Sequence, residues 1–154
     1  MTRTTWILLG ALGSAGLLLG AFAFQHIGGM APCKLCLWQR WPHGAAIVIG
    51  VLALALPGRL LPLLAALAAL TTAGIGGYHT GVERGWWEGP TTCTSGPVSG
   101  ISAQDLMAQI MEAPLVRCDE VPWEMFTLSM ATWNMLASLA FALCWLMAAR
   151  APQR

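Results

Sequence analysis

Cys33 and Cys36 form a Cys-x-x-Cys pair directly ahead of a long apolar segment, and Arg40 follows Cys36 by four residues. Residues four apart share one face of a helix, so a guanidinium at 40 stands beside the sulfur at 36. That cation and the positive end of the helix dipole both favour the thiolate, the form of cysteine that reacts. Lys34 adds a second cation beside the pair. A polarised dithiol opening onto hydrocarbon suits thiol redox chemistry with a lipid-soluble reactant. Cys93 and Cys118 lie much further along the chain, and Cys144 lies deep in the last apolar segment.

The segments that must position these sulfurs are membrane segments. Of 154 residues, 56% are hydrophobic and 10% charged, with a mean hydropathy of +0.63. A soluble domain carries about 25% charged residues. The expected fold is all-α: an integral membrane four-helix bundle, one domain over residues 1–154, with a long external cysteine-containing loop. The spans fall at about 6–24, 36–56, 60–78 and 125–149, with the loop at 79–124. Each span is long enough to cross a hydrocarbon core of about 30 Å. Gly16 and Gly20 form a small-xxx-small pair in the first span, a pattern that permits close helix contact. A net charge of +1 with no basic stripe excludes nucleic acid as a partner, leaving the lipid bilayer as the surroundings.

Orientation follows from the basic residues. Arg3, Arg59, Arg150 and Arg154 occupy short tails or a turn on one side, whereas all seven acidic residues lie in the long loop. The positive-inside rule puts both termini in the cytoplasm and the four cysteines at 33, 36, 93 and 118 outside. Ala21-Phe22-Ala23 resembles a signal-peptidase site, but the apolar run exceeds the usual h-region of about 7–15 residues, so a retained span is expected. Trp38, Trp41, Trp86, Trp87 and Trp123 read as interfacial anchors, and Asn134 as a partner in interhelical hydrogen bonding.

On the outer face of a bacterial inner membrane, disulfides persist, so two pairs are chemically permitted. Pairing 33 with 36 and 93 with 118 is the natural choice, though four cysteines allow three connectivities. A structural staple is a sufficient reading for Cys93 and Cys118. It is poor for Cys33 and Cys36, because so small a ring constrains little of the unfolded chain. A zinc site needs four converging thiolates, and the second Cys-x-x-Cys typical of zinc ribbons is missing. No metal is expected. Cys144 reads as a small buried hydrophobe with no role.

Within the loop, Ser102 and Asp105 start a short helix, with Leu106, Met107, Ile110 and Met111 on one face. Such a helix lies in the membrane interface or packs as a lid on the bundle. Surrounding prolines and glycines indicate a mobile loop, so that Cys118 can approach Cys33.

Phe24-Gln25-His26, Pro32-Cys33-Lys34-Leu35-Cys36, Gln39-Arg40, the external Cys93 and Cys118, and the Trp123…Met130…Trp133 run together resemble the DsbB family of disulfide bond formation proteins. The likeness covers nearly the whole chain. The vitamin K epoxide reductase family, with similar chemistry, carries its loop cysteines before its Cys-x-x-Cys, the reverse of the order here. The resemblance implies a multi-pass enzyme of the bacterial inner membrane, a protein-dithiol:quinone oxidoreductase. It would reoxidise a DsbA-like periplasmic thioredoxin-fold oxidase and pass electrons to the quinone pool, with ubiquinone favoured over menaquinone. By position, Cys93 would form the mixed disulfide with the partner. Cys118 would then attack Cys33, and Cys36 would face the quinone with Arg40 stabilising its charge. His43, one turn past Arg40, and His79, ending the third span, would be candidates for a hydrogen bond to a quinone ring oxygen. Family members often carry Glu before this arginine; here Gln39 removes a competing anion. Redox sensing or metal binding without quinone turnover is the alternative use of the same cysteines.

Overall fold

The structure, a computed structural model, describes residues 1–90, 93, 102–112 and 116–152. It is mainly helical: α1 (Arg3–His26), α2 (Lys34–Ala55), α3 (Leu60–Glu83), the short α4 (Ala103–Glu112) and α5 (Met130–Arg150), with a two-stranded hairpin, β1 (Glu124–Met125) and β2 (Leu128–Ser129), ahead of α5.

Local chemistry sets the boundaries. The Thr2 side chain caps α1 by accepting from the Thr5 N–H, and the helix ends before Gly29, whose φ of 67° is in the left-handed region that favours glycine. Cys33 caps α2 with its sulfur, which accepts from the Cys36 N–H at 3.2 Å. Leu56, held extended by the following Pro57, closes that helix. Pro62 sits in the first turn of α3, where its missing N–H costs nothing. Pro42 lies inside α2 and breaks its hydrogen-bond ladder; one turn earlier, the Thr72 hydroxyl of α3 donates to the Gln39 carbonyl at 3.1 Å.

Two boundaries differ from the sequence reading by about a turn or more, the others by three residues or fewer. The last helix begins at Met130 and not near Met125, because residues 124–129 form the hairpin. Phe126 and Thr127 turn it with φ of 52° and 62°, the handedness of a tight hairpin turn. Ser129 then caps α5 by accepting from the Thr132 N–H. The third helix runs to Glu83, a turn beyond the expected 78, and so carries His79 inside it.

The long helices run alternately up and down. Arg3, opening α1, donates to the carbonyls of Ala53, Leu56 and Gly58 at the end of α2. At the opposite end, Arg40 of α2 donates to Gln25 of α1, and Thr80 of α3 hydrogen-bonds Thr132 of α5. Among the described residues, α1, α3 and α5 are long and apolar enough to cross a membrane. The fourth long helix, α2, falls outside that group; its first half holds Lys34, Gln39, Arg40 and His43.

At the arginine-rich end, one tryptophan fills the core. Trp145 is fully buried with Ile7, Ala53, Ala65 and Ala148. A Cβ on Gly10 would come within 2.5 Å of its ring, and one on Gly50 within 2.8 Å of Ala11. Small residues let the helices close around the indole, the usual route to tight packing in lipid. Gly16 and Gly20 do not make such a contact: nothing lies within 4 Å of a Cβ built at either, and both line a cavity instead. Gly50→Leu is expected to destabilise the protein by about 1–3 kcal/mol, the cost of overpacking. Unfolding of the purified protein in detergent, compared with a Gly16→Ala control near wild type, measures it.

Candidate functional site

At the start of α2 the two sulfurs divide their roles. Cys33 Sγ donates to Cys36 Sγ at 2.8 Å while accepting from the Cys36 backbone N–H. Both thiols are free. The hydrogen bond to Cys36 and burial push the Cys33 thiol up, so Cys33 keeps its proton and Cys36 is the acceptor of the pair.

Cys93 and Cys118 are joined by a disulfide, with their Cα atoms 5.3 Å apart and the Cys118 N–H donating to the Cys93 carbonyl. Both are fully buried and pack with Cys33, Leu35 and Val82 in one cluster. Cys33 Sγ, a ring nitrogen of His79 and Cys118 Sγ lie within 4.8 Å of one another. These three groups are one short of a tetrahedral metal site, and a sulfur bonded to Cys93 is not a thiolate ligand. They do suit exchange, which needs a thiol beside a disulfide sulfur. Beside them, Arg117 donates to Asp119 from two nitrogens, holding that carboxyl below the usual carboxylate range.

Behind the sulfurs runs a buried polar network. Gln39 Nε2 donates to the Leu35 carbonyl and lies 3.1 Å from His79 Nδ1. Asn134 Nδ2 donates to Gln39 Oε1 at 2.7 Å and to Thr72 Oγ1 at 3.2 Å, and its Oδ1 lies 2.8 Å from His43 Nε2. His79 Nε2 reaches the Cys118 carbonyl at 3.2 Å and Cys33 Sγ at 3.6 Å. Glu83, one turn on, lies 3.7 Å from His79 and accepts from the Ser129 hydroxyl.

A cavity of about 340 Å³ opens between α1, α2 and α5. Leu17, Phe24, Met130 and Trp133 give it apolar walls, and Cys36, Gln39, Arg40, His43, His79 and Asn134 supply its polar end. Arg40 spends two nitrogens on α1, at Gln25 Oε1 (2.5 Å) and the Ala21 carbonyl (3.3 Å), and stacks over Phe22. Among the described residues, Arg40 Nε and His43 Nδ1 are buried without a partner. An apolar ring bearing oxygens fits this place: its faces meet the walls, and its oxygens meet two otherwise orphaned nitrogens.

The structure brings Cys33, Cys118 and His79 together and turns Cys36, Arg40, His43 and His79 to the cavity. Cys93 reaches the cluster through its bond to Cys118. Both histidines are buried, 3% exposed each, and not wet interfacial side chains. Gln39 is engaged with Leu35, His79 and Asn134 instead of standing by Arg40. Trp38, Trp41, Trp86 and Trp87 are exposed, as anchors would be, but Trp123 packs on Phe24 and lines the cavity. Sequence reasoning did not assign Trp123 or Trp133 to the site, because an indole near a membrane surface carries the same signal in either role. In α4, Ser102 caps by accepting from the Asp105 N–H, and Met107 and Met111 are exposed.

A helical membrane protein with a dithiol set against a disulfide belongs to the thiol–disulfide oxidoreductases. The family model described as "Disulfide bond formation protein DsbB" matches residues 3–148. The chain is similar to Disulfide bond formation protein B of Shewanella frigidimarina, at 28% identity over 94% of this chain and 88% of that one. It is similar to the protein of that name from Dechloromonas aromatica, at 31% over 85% and 82%. To Disulfide bond formation protein B 2 of Pseudomonas aeruginosa it is 32% identical, over 86% and 83%. The chain belongs to the DsbB family, and its role is in disulfide bond formation.

If Cys33 and Cys118 are poised for exchange, removing their alternative partners should trap them together. A Cys36→Ser, Cys93→Ser double variant is expected to form a Cys33–Cys118 disulfide under mild oxidation. Non-reducing peptide mapping reads it, and recovery of both cysteines as free thiols would count against the arrangement.

Proposed function

We propose that the protein oxidises a periplasmic thioredoxin-fold thiol oxidase of the DsbA type and passes the electrons to a membrane quinone. The supporting observation is the bridging position of the Cys33–Cys36 pair. Cys33 sits against His79 and Cys118, while Cys36 lines the cavity. The arginines at the other end of the bundle support a periplasmic cysteine end and cytoplasmic termini, hence an inner-membrane protein. On this reading α2 is the fourth span.

The exchange steps balance. A partner thiolate attacks Cys93, the Cys93–Cys118 bond breaks, and the electron pair leaves on Cys118. The Cys118 thiolate attacks Cys33 of a Cys33–Cys36 disulfide, and Cys36 leaves as thiolate. The second thiol of the partner then attacks the mixed disulfide, giving oxidised partner and a Cys93 thiolate. Cys93 attacks Cys118, the interloop bond breaks, and Cys33 takes up a proton as a free thiol. The outcome is the Cys33/Cys36 dithiol beside a Cys93–Cys118 disulfide, the pairing described above. A quinone in the cavity would supply the acceptor for the two electrons and two protons released as this dithiol closes. Arg40 would hold it through its free Nε–H, His43 would meet the reduced ring, and the apolar walls would keep water from the reacting sulfur. Cys93 is buried, so it must become exposed before a partner reaches it.

Purified protein is expected to couple oxidation of a reduced DsbA-type partner to reduction of a short-chain ubiquinone, one for one. Cys36→Ser and Cys93→Ser should each abolish turnover, and wild-type rates in either would sink the mechanism. Arg40→His should raise the KM for quinone about tenfold, the worth of a charge-assisted hydrogen bond. Exchange between Cys93–Cys118 and the partner, followed by mass spectrometry without quinone, should be unchanged.

A further inference from the structure

The buried network has a direction, because backbone carbonyls, which only accept, pin it at several points. Gln39 Nε2 faces the Leu35 carbonyl, so the amide nitrogen stands on that side and Gln39 Oε1 faces Asn134. Thr72 spends its hydroxyl hydrogen on the Gln39 carbonyl, so its oxygen accepts from Asn134 Nδ2. Asn134 Oδ1 is therefore what meets His43, and His43 Nε2 must carry a hydrogen. The second hydrogen of Gln39 Nε2 points to His79 Nδ1, which accepts and is bare. His79 Nε2 lies among acceptors only: the Cys118 carbonyl, Cys33 Sγ with its own hydrogen turned to Cys36, and the Glu83 carboxyl. It carries the hydrogen.

We propose that the Gln39–Asn134 amide pair is a positioning device that fixes the hydrogen on both histidines, presenting His79 to the cysteines as a donor and His43 to the cavity as an acceptor. His79 then steadies negative charge on the exchanging sulfurs and does not take the proton of Cys33. At the other end, His43 Nδ1 is a buried lone pair with no partner among the described residues, on a side chain that lines the cavity. Such a nitrogen is satisfied by an occupant with a hydroxyl, and not by a bare carbonyl. Of the two redox forms of a quinone, it selects the reduced one. The cavity half of this inference rests on the proposed function; the cysteine half does not.

Nitrogen NMR of protein labelled at histidine, at about pH 8 where free imidazole is neutral, tests both halves. His26 is exposed and serves as the averaged reference, assigned by His26→Gln. His43 and His79 are each expected to show a bare, pyridine-like Nδ1 and a protonated, pyrrole-like Nε2. In Gln39→Glu the carboxylate accepts where the amide donated, so His79 Nδ1 should become pyrrole-like while His43 keeps its pattern. A protonated Nδ1 on His79 in the wild type, or no change in Gln39→Glu, would overturn the relay. Adding a short-chain ubiquinol should move the His43 Nδ1 signal upfield, and the matching ubiquinone should leave it in place. The reverse order would overturn the selectivity. If neither form moves any cavity resonance, the quinone reading fails, whereas the tautomer pattern still decides the relay.

Discussion

Hydrocarbon offers no partner to a buried amide, and that constraint organises the cysteine end of this bundle. Gln39 is 6% exposed and lies one turn beyond Cys36. Its amide is satisfied only when Leu35 of its own helix, His79 of α3 and Asn134 of α5 all converge on it. Leaving one buried polar group unpaired costs about 1–3 kcal/mol, so displacing any of these helices is penalised several times over. The network thereby fixes the rotation of three helices about their axes. It also sets His79 beside Cys33 and His43 beside the cavity, so the demand for satisfied hydrogen bonds and the placement of the chemistry are one requirement.

The asymmetry of the two Cys-x-x-Cys sulfurs follows from where α2 begins. Cys33 is the N-cap, outside the first turn, and its sulfur reaches back toward the buried loop disulfide. Cys36 is within the first turn and faces the cavity toward α1. A single turn of helix thus separates a thiol set against the loop disulfide from a thiol that meets an apolar pocket. The hydrogen bond between them, with Cys33 as donor, gives that separation a chemical sign.

The hairpin at 124–129 is small, yet it delivers two requirements of the site. Its Ser129 caps α5 and donates to Glu83, tying the start of α5 to the end of α3. Trp123, just before it, and Met125 and Trp133 around it close the wall of the cavity. Loop and membrane helices are therefore not separable parts. The buried Cys93–Cys118 disulfide belongs to the same packed cluster as Leu35 and Val82.

The sequence by itself determined the helices and the chemistry available to them. Uncharged apolar runs, proline and glycine stops and the Ser102–Asp105 start are local signals, and they marked helical segments that differ from the structure chiefly at their ends. The exceptions are two ends that composition hides: a hairpin with two non-glycine residues at positive φ, and a third helix that continues through His79 to Glu83, whose carboxyl accepts from the distant Ser129. Cys-x-x-Cys spacing with Arg40 singled out the two sulfurs at the start of α2 and the cation that reaches the cavity beside Cys36. Only the tertiary structure decided which groups meet. Gln39 to His79, Asn134 to His43 and Cys33 to Cys118 are contacts across tens of residues, created by helix rotation and not by spacing. Likewise Trp123 and the pair Gly16 and Gly20 carry ambiguous signals, an anchor or a wall, a contact or an opening. Which one applies depends on what the neighbouring helix puts opposite, and that is a property of the packed bundle alone.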